Sequence, residues 1–441
     1  MAGEEDVNDA VAAAKAAFHG AWGAMSGVER AKRMRALADL LDENKERLLK
    51  LESQSMGMPM ALALRIGEML GYVWRYYAGF CDKAPGDHIP EGSDRLCKLV
   101  RYEPFGVCAG IGAWNASLFI MSMKIAPAVA AGNTFVFKSS ERSPLGALQF
   151  GELIVRAGFP PGVINLLSGA GTTGTLLASH MQIQRISFTG SVQAGRQVQI
   201  AAAKSNLKRV TLELGGKSPS IILEDADLEK ALAHSSQSFL ANSSQICVAA
   251  SRVFVHESVA QSFIDGLKSR FEMMAQMAGN PAEAGTFLGP LADNQQAARV
   301  TEFLNEAQKA GIEVLTGGTS KDNFIVPTIM KNPPADSSVW TKEIFGPVLC
   351  VRVFNDEEEA IKLANDTSYG LSSCIFSKDI GRALRMSRRI EAGSVAINSS
   401  HALEVDIPFG GWKESGNGSV EGGSAGFYSY LQPKSVVIDL S

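Results

Sequence analysis

Asn242-Ser243-Ser244-Gln245-Ile246-Cys247-Val248-Ala249 sets a thiol between a polar, turn-prone run and Ser251-Arg252-Val253-Phe254-Val255, whose β-branched and aromatic residues predict a strand. A nucleophile at such a loop-to-strand junction is held yet reachable. Upstream, Thr211-Leu212-Glu213-Leu214-Gly215-Gly216-Lys217-Ser218-Pro219 places a carboxylate among leucines just ahead of a Gly-Gly turn. Desolvation raises a carboxyl pKa, and a raised pKa suits a general base working near neutral pH. A thiol and such a carboxylate can divide covalent catalysis from water activation. Taken singly, each residue also has a plainer reading: most free cysteines are small buried hydrophobes, and a carboxylate between leucines is often an edge-strand residue facing water.

The surrounding wording decides between these readings. Glu213 within Leu-Glu-Leu-Gly-Gly-Lys-Ser-Pro, Cys247 within Ser-Gln-Ile-Cys, and Glu343-Ile344-Phe345-Gly346-Pro347 occur in this order. With them stand Pro104-Phe105-Gly106-Val107, Ala113-Trp114-Asn115, Lys138-Ser139-Ser140-Glu141, Ser187-Phe188-Thr189-Gly190-Ser191 and Pro408-Phe409-Gly410-Gly411. From about Asp9 to Ser435 the chain closely resembles the NAD-dependent, hydrolytic aldehyde dehydrogenase superfamily.

That resemblance implies an α/β fold. It assigns 1–82 and 105–214 to a Rossmann-like, NAD-binding domain, 215–415 to an α/β catalytic domain, and 83–104 with 430–441 to a small β oligomerisation arm. The implied reaction is oxidation of an aldehyde to the carboxylic acid with NAD+. It runs through a thiohemiacetal and a thioester on Cys247, the thioester being hydrolysed by water that Glu213 activates. The oxyanion would be met by the Cys247 backbone N–H and the Asn115 amide; one such donor is worth on the order of 3 kcal/mol. Hydride transfer is beyond any side chain, so a nicotinamide cofactor is required. Lys138 and Glu141 would take the adenosine ribose, and Gly190 with Ser191 the pyrophosphate at a helix N-terminus. Glu343 and Phe345 would hold the nicotinamide ribose, with Trp114, Gly171 and Leu214 also lining the cofactor. Phe119, Ile246, Val248 and Phe409 would form the aldehyde tunnel. Because a carboxylate binds a free 2′-hydroxyl and repels a 2′-phosphate, Glu141 implies NAD in preference to NADP.

Bulk properties agree with an α/β enzyme. A 441-residue chain exceeds one core, so two or more domains are expected. Positive and negative residues are interspersed at a net charge of −4, which argues against a nucleic-acid partner. The acidic start Met1-Ala2-Gly3-Glu4-Glu5-Asp6 lacks the apolar core of a secretory signal, and no apolar run is long enough to span a bilayer. A cytoplasmic location, with no membrane partner, is the expectation. Six scattered cysteines without a Cys-x-x-Cys pair, and six dispersed histidines, imply free thiols and no metal site.

Along the chain, Asp6 to about Ala78 reads as helical, with Leu37, Leu40, Leu41, Leu48 and Leu49 on an amphipathic face. Leu96 to Tyr102 reads as an exposed strand that, by the resemblance, pairs with Lys434 to Leu440 in an arm completing a homodimer or homotetramer. Val107 to Ile111, Thr134 to Phe137, Val163 to Leu167, Ile186 to Phe188 and Arg209 to Leu214 alternate with helix-length intervals, the rhythm of a parallel sheet. The family usually carries a few tens of residues ahead of this start.

Two motifs mislead. Gly169-Ala170-Gly171-Thr172-Thr173-Gly174 fits G-x-G-x-x-G, but the acid expected about 20 residues on is missing. Gly422-Gly423-Ser424-Ala425-Gly426 fits a serine-hydrolase elbow, yet no histidine follows it. The chain also departs from the family's wording. Ser244 stands where glycine is common, which the fold tolerates unless the backbone needs positive φ. Ala116 and Ser117 replace a bulky residue and a proline, widening the tunnel unless Phe119 or Met121 fills it. Gly418-Ser419-Val420 replaces Gly-Arg-Glu, so Glu421 arrives one place late for a proton relay to the catalytic carboxylate. Gly279-Asn280-Pro281 replaces Gly-Asp-Pro without a mechanistic reading. Alternative readings are a CoA-acylating semialdehyde dehydrogenase, a reductive acyl-thioester enzyme, and a catalytically silent relative with a binding or structural role.

Overall fold

The alternation of short apolar runs with helices resolves into two parallel sheets in a computed structural model that describes residues 1–90, 95–400, 404–418 and 421–441. The first sheet runs in the order Ile164–Gly169, Thr134–Ser140, Val107–Ile111, Arg185–Thr189, Arg209–Glu213, all parallel. Its chain starts in the middle, winds outward to one edge, and returns to build the other. The strand order therefore reverses beside Val107–Ile111, and in open α/β sheets the crevice at the carboxyl ends of such a reversal receives the ligand. Asn115, Glu141, Gly190 and Glu213 all lie at or just beyond those carboxyl ends.

The second sheet runs Glu313–Thr316, Thr328–Lys331, Val348–Phe354, Arg252–His256, Pro219–Ile222, Ser372–Phe376, Ser394–Ile397. It is parallel except for its first strand, which is antiparallel to the second. Only residues 214–218 separate the last strand of the first sheet from Pro219–Ile222 in the second. This crossing is stapled from behind: Glu213 bridges Gly416, the Leu214 N–H donates to the Ser415 carbonyl at 2.8 Å, and Ser415 Oγ donates to the Gly215 carbonyl at 2.7 Å.

The N-terminal helical region divides into Glu4–His19, Gly27–Met56 and Met60–Ala78. Ser26 caps the second of these by accepting from the Glu29 N–H, and Gly57 ends it at φ 81°, a conformation glycine reaches without a Cβ clash. Leu37, Leu41, Leu48 and Leu49 are buried and Leu40 packs at the margin, as their spacing predicts. Helix Ser117–Ala130 is buried on nearly every side, so it is apolar all round.

A third, antiparallel sheet stands apart: Gly86–Ile89, Leu96–Pro104 and Leu431–Asp439. It is exposed or half-exposed along most of its length, with Val437 62% and Ile438 43% exposed. No helix among the described residues is long and apolar enough to cross a membrane.

Candidate active site

Glu213 ends its strand, and the Gly-Gly turn after it explains how three distant segments meet. A Cβ on Gly216 would lie 2.4 Å from the Cys247 carbonyl oxygen, and one on Gly215 would lie 2.3 Å from Glu343 Oε2. Position 216 therefore requires glycine against fixed backbone, and at 215 any side chain would push Glu343 aside, so the bare turn lets Glu213, the Cys247 loop and the Glu343 loop close on one another. The Gly216 N–H donates to Glu343 Oε1 at 2.9 Å.

The nucleophile loop begins with a 3₁₀ turn, Ala241–Ser244, in which Asn242, Ser243 and Ser244 hold φ of 52°, 51° and 59°. Position 244 thus needs the positive φ that its serine does not favour, and this chain meets the need by anchoring: Ser244 Oγ donates to the Phe239 carbonyl at 2.7 Å. Gln245 is fully buried and ties the loop to its neighbours, its Oε1 accepting from the Ala292 N–H at 3.0 Å. Asn115 Nδ2 donates to the Gln245 carbonyl at 3.0 Å, two residues from the thiol, and keeps its second N–H in reserve. Asn242 Nδ2 in turn donates to the Asn115 carbonyl at 3.2 Å.

Cys247, Glu213 and Asn115 line one cavity of about 970 Å³. Every other residue singled out from sequence lines it too: Trp114, Lys138, Glu141, Gly171, Gly190, Ser191, Leu214, Glu343, Phe345, Phe119, Ile246, Val248 and Phe409. Ala116 also contributes to the wall, whereas Met121 is buried and does not, so of the two candidates for compensating bulk only Phe119 faces the space.

The electrostatics follow from burial. Glu213 is 3% exposed, and neither of its carboxylate oxygens makes a well-formed hydrogen bond to another protein group. Burial, reinforced by the nearby Glu421 carboxylate and opposed by Lys124 and by the neighbouring Gly411 N–H, holds its carboxyl well above the usual range. Cys247 is half-buried as a residue, but its thiol is enclosed: burial first, then the Glu343 and Glu213 carboxylates, push it up to about 12. At neutral pH the thiol keeps its proton until a base takes it. Burial likewise lifts Glu343 to about 7, against the pull of the Gly216 N–H.

Behind Glu213 lies a cluster that sequence reading missed. Lys124 Nζ, on the buried helix, ion-pairs with Glu421 and donates to Ser187 Oγ at 2.7 Å, while Ser187 Oγ lies 3.1 Å from Glu421 Oε1. Lys124 is the sole charged residue in that helix, a signal open to inspection beforehand. The one-place offset of Glu421 does not remove its carboxylate from the site; Ser419 and Val420 themselves lie outside the described residues.

The cofactor side shows the features an anionic dinucleotide needs. Ser191 caps helix Val192–Lys204 by accepting from the Ala194 N–H at 3.3 Å, leaving a helix N-terminus open at Gly190 and Ser191. Lys138 is buried rather than solvated; its Nζ binds the Gly169 carbonyl and lies 3.9 Å from the half-exposed Glu141. Gly171 opens helix Gly171–Ser179 along the same wall, and the G-x-G-x-x-G run meets the cavity through Ala170, Gly171, Thr172 and Gly174. Opposite, helix Asn294–Lys309 supplies three residues that the motifs did not announce. Gln296 Nε2 donates to the Phe345 carbonyl at 2.8 Å and Arg299 to the Glu343 carbonyl at 2.7 Å. Gln295 accepts from Arg142 at 3.1 Å, and Arg142 also pairs with Asp293 at 2.9 Å while its guanidinium lies 5.5 Å over the Trp114 ring. Trp114 meets Phe345 edge-on at 5.3 Å. Among the described residues no group of three or more His, Cys, Asp or Glu could hold a metal ion.

The sequence model of the aldehyde dehydrogenase family matches residues 1–436. An aldehyde dehydrogenase of Emericella nidulans is 43% identical over 438 residues, covering 98% of this chain and 87% of that protein. Cytosolic aldehyde dehydrogenase 1 of Rattus norvegicus is 40% identical over 443 residues, covering 99% and 88%. Among solved structures, betaine aldehyde dehydrogenase from Staphylococcus aureus in complex with NAD+ superposes at a TM-score of 0.96, with 35% identity over 99% of this chain and 88% of that one. An NADP-dependent enzyme of E. coli superposes at 0.95, also with 35% identity, over 99% and 91%.

Proposed function

Since the chain belongs to the aldehyde dehydrogenase family and oxidises an aldehyde with NAD+, we propose that Cys247 is its nucleophile, Glu213 its general base and Asn115 its oxyanion donor. The observation that carries this reading is the under-satisfied carboxylate: two buried oxygens of Glu213 without a well-formed hydrogen bond to the protein, facing the cavity that Cys247 and the Asn115 amide also face. Such a group is expensive to bury and idle unless a proton passes through it.

On this reading the Cys247 thiol proton passes to water in the cleft as its sulfur attacks the aldehyde carbon. The Asn115 amide and the Cys247 backbone N–H meet the new oxyanion. NAD+, when bound, supplies the hydride acceptor. Glu213 then takes a proton from the water that attacks the thioester on Cys247, releasing the acid and the thiol. The late arrival of this step makes it separable in time. Glu213→Gln retains a first-turnover burst of NADH in stopped flow but slows thioester breakdown, and unchanged steady turnover removes Glu213 from the mechanism. Cys247→Ala abolishes oxidation; residual activity would point to another nucleophile.

Cofactor choice belongs to the same reading. Lys138, Glu141, Gly190 and Ser191 would hold the adenosine ribose and pyrophosphate, and Glu343 with Phe345 the nicotinamide ribose. The Glu141 carboxylate favours NAD over NADP by repelling a 2′-phosphate. A kcat/KM with NADP equal to or above that with NAD would overturn this part. Residues 1–82 and 105–214 then form the cofactor domain and 215–415 the catalytic domain. The β arm joins copies into a homodimer or homotetramer, and the action is cytosolic, as the rat relative's name indicates for that protein.

A further inference from the structure

The cavity wall changes character away from the cofactor loops. Helix Met60–Ala78 presents Leu62, Ile66 and Met69 along one face, helix Ser117–Ala130 presents Phe119 and Met123, and Phe409 approaches from the C-terminal segment. None of these side chains carries charge or a strong hydrogen-bonding group, so a polar substrate group pressed against them would lose water without replacement. Three thioethers in the wall, Met58, Met69 and Met123, add shape tolerance, because methionine repacks around irregular apolar bodies.

The acids that share the cavity do not offset this. Glu421 is committed to Lys124 and Ser187, and Glu343 to the Gly216 N–H. Glu213 is held toward its neutral form by burial and by Glu421. A cationic aldehyde would thus find no free counter-charge among these groups, and an anionic one would face carboxylates there, because the other charges that line the cavity, Lys138, Glu141, Arg142 and Arg299, lie on the cofactor side with Lys138 near Glu141, Arg142 paired to Asp293 and Arg299 bound to the Glu343 carbonyl. Directly beside the oxyanion donor, Ala116 adds only a methyl group to the wall. The wall next to the reacting carbonyl is set back by the smallest side chain that still has a Cβ.

We propose that this protein acts on uncharged aldehydes with a bulky hydrocarbon body, branched or ring-bearing close to the carbonyl, and that Ala116 and Met123 are the residues that set this preference. The proposal rests on the reading of Cys247 as the nucleophile. Ala116 admits width beside the carbonyl, and Met123 with Leu62 and Ile66 takes the body of the substrate out of water.

A panel of propanal, hexanal, decanal, cyclohexanecarbaldehyde, a trimethylammonium aldehyde and succinic semialdehyde, followed by NADH formation, tests this. Each methylene buried against the wall raises kcat/KM about fourfold until the cavity is filled. Both charged aldehydes fall at least about tenfold below hexanal, in line with the cost of an unpaired charge. Ala116→Phe lowers the kcat/KM ratio of cyclohexanecarbaldehyde to hexanal about tenfold or more, and Ala116→Leu, a smaller intrusion, lowers it less. Each variant's NADH burst with hexanal reports that its site is assembled. Charged aldehydes that match or exceed hexanal, or a ratio unmoved by either variant, overturn the proposal and leave Cys247 in place. No NADH from any aldehyde in the wild-type protein overturns the nucleophile reading along with it.

Discussion

Asn242, Ser243 and Ser244 sit ahead of the thiol in the left-handed region, which costs a non-glycine residue roughly 1–2 kcal/mol each. Three hydrogen bonds oppose that cost: Asn242 Nδ2 to the Asn115 carbonyl at 3.2 Å, Ser243 Oγ to the Gly289 carbonyl at 2.6 Å and Ser244 Oγ to the Phe239 carbonyl at 2.7 Å. At about 1 kcal/mol net apiece, they bring the loop close to balance. The strain is thus held by contacts that also place Asn115 near the thiol. The pH dependence of turnover belongs at the same scale. On the proposed reading Glu213 must lose a proton to act as base, and its carboxyl is held well above the usual range, so hydrolysis rises with pH through a range above that of an ordinary carboxylate. Glu421→Gln removes the carboxylate that raises Glu213 and frees the Lys124 charge that lowers it; both changes act in one direction. The acid limb of the pH–rate profile therefore moves to lower pH in that variant, and a limb that stays put or moves upward denies the coupling. Cys247, Glu213 and Asn115 were legible in sequence because each stands inside a local run of distinctive wording. Lys124 was not, and Glu421 was read only as a displaced relay residue, because their meeting depends on a contact between residues 297 positions apart.

At the scale of elements, helix Asn294–Lys309 works as a buckle across the cofactor cleft. Its first turns hold the Glu343–Phe345 loop through Gln296 and Arg299, and hold Arg142, just after strand Thr134–Ser140, through Asp293 and Gln295. The Arg142–Asp293 side chains are 23% and 32% exposed, so the pair contributes at most about 1 kcal/mol to global stability. Arg142→Ala consequently leaves the thermal midpoint nearly unchanged. The same 1 kcal/mol spent on cofactor retention is about fivefold in affinity. The KM for NAD+ rises by about that factor, with faster NADH release in stopped flow; unaltered release would leave Arg142 as a surface ion pair. Sequence located the strands of the first sheet to within three residues at each end, because continuous apolar runs bounded by glycine and proline are local signals. The pairing of Arg142 with Asp293 carries no such mark, since both residues read as ordinary solvated charges.

For the whole molecule, the antiparallel sheet with Leu431–Asp439 is the unfinished part. Val437, Ile438 and Leu440 are 62%, 43% and 62% exposed, on a ribbon whose outer edge offers unpaired backbone groups. Light scattering is expected to return the mass of a dimer or tetramer for the native chain and of a monomer after Val437→Asp with Leu440→Asp. A monomeric native chain would remove the arm's assigned role. Alternation made Leu96 to Tyr102 readable as a strand, whereas the C-terminal strand and the partner it closes on were known only through resemblance, because exposure says that a surface is open and not what closes on it.

The five-residue crossing at 214–218 places Glu213 at the joint between the two sheets. Its strand end pairs with Gly416, and Leu214 and Gly215 are bound to Ser415, so this one carboxylate is registered to both sheets and to the C-terminal segment at once.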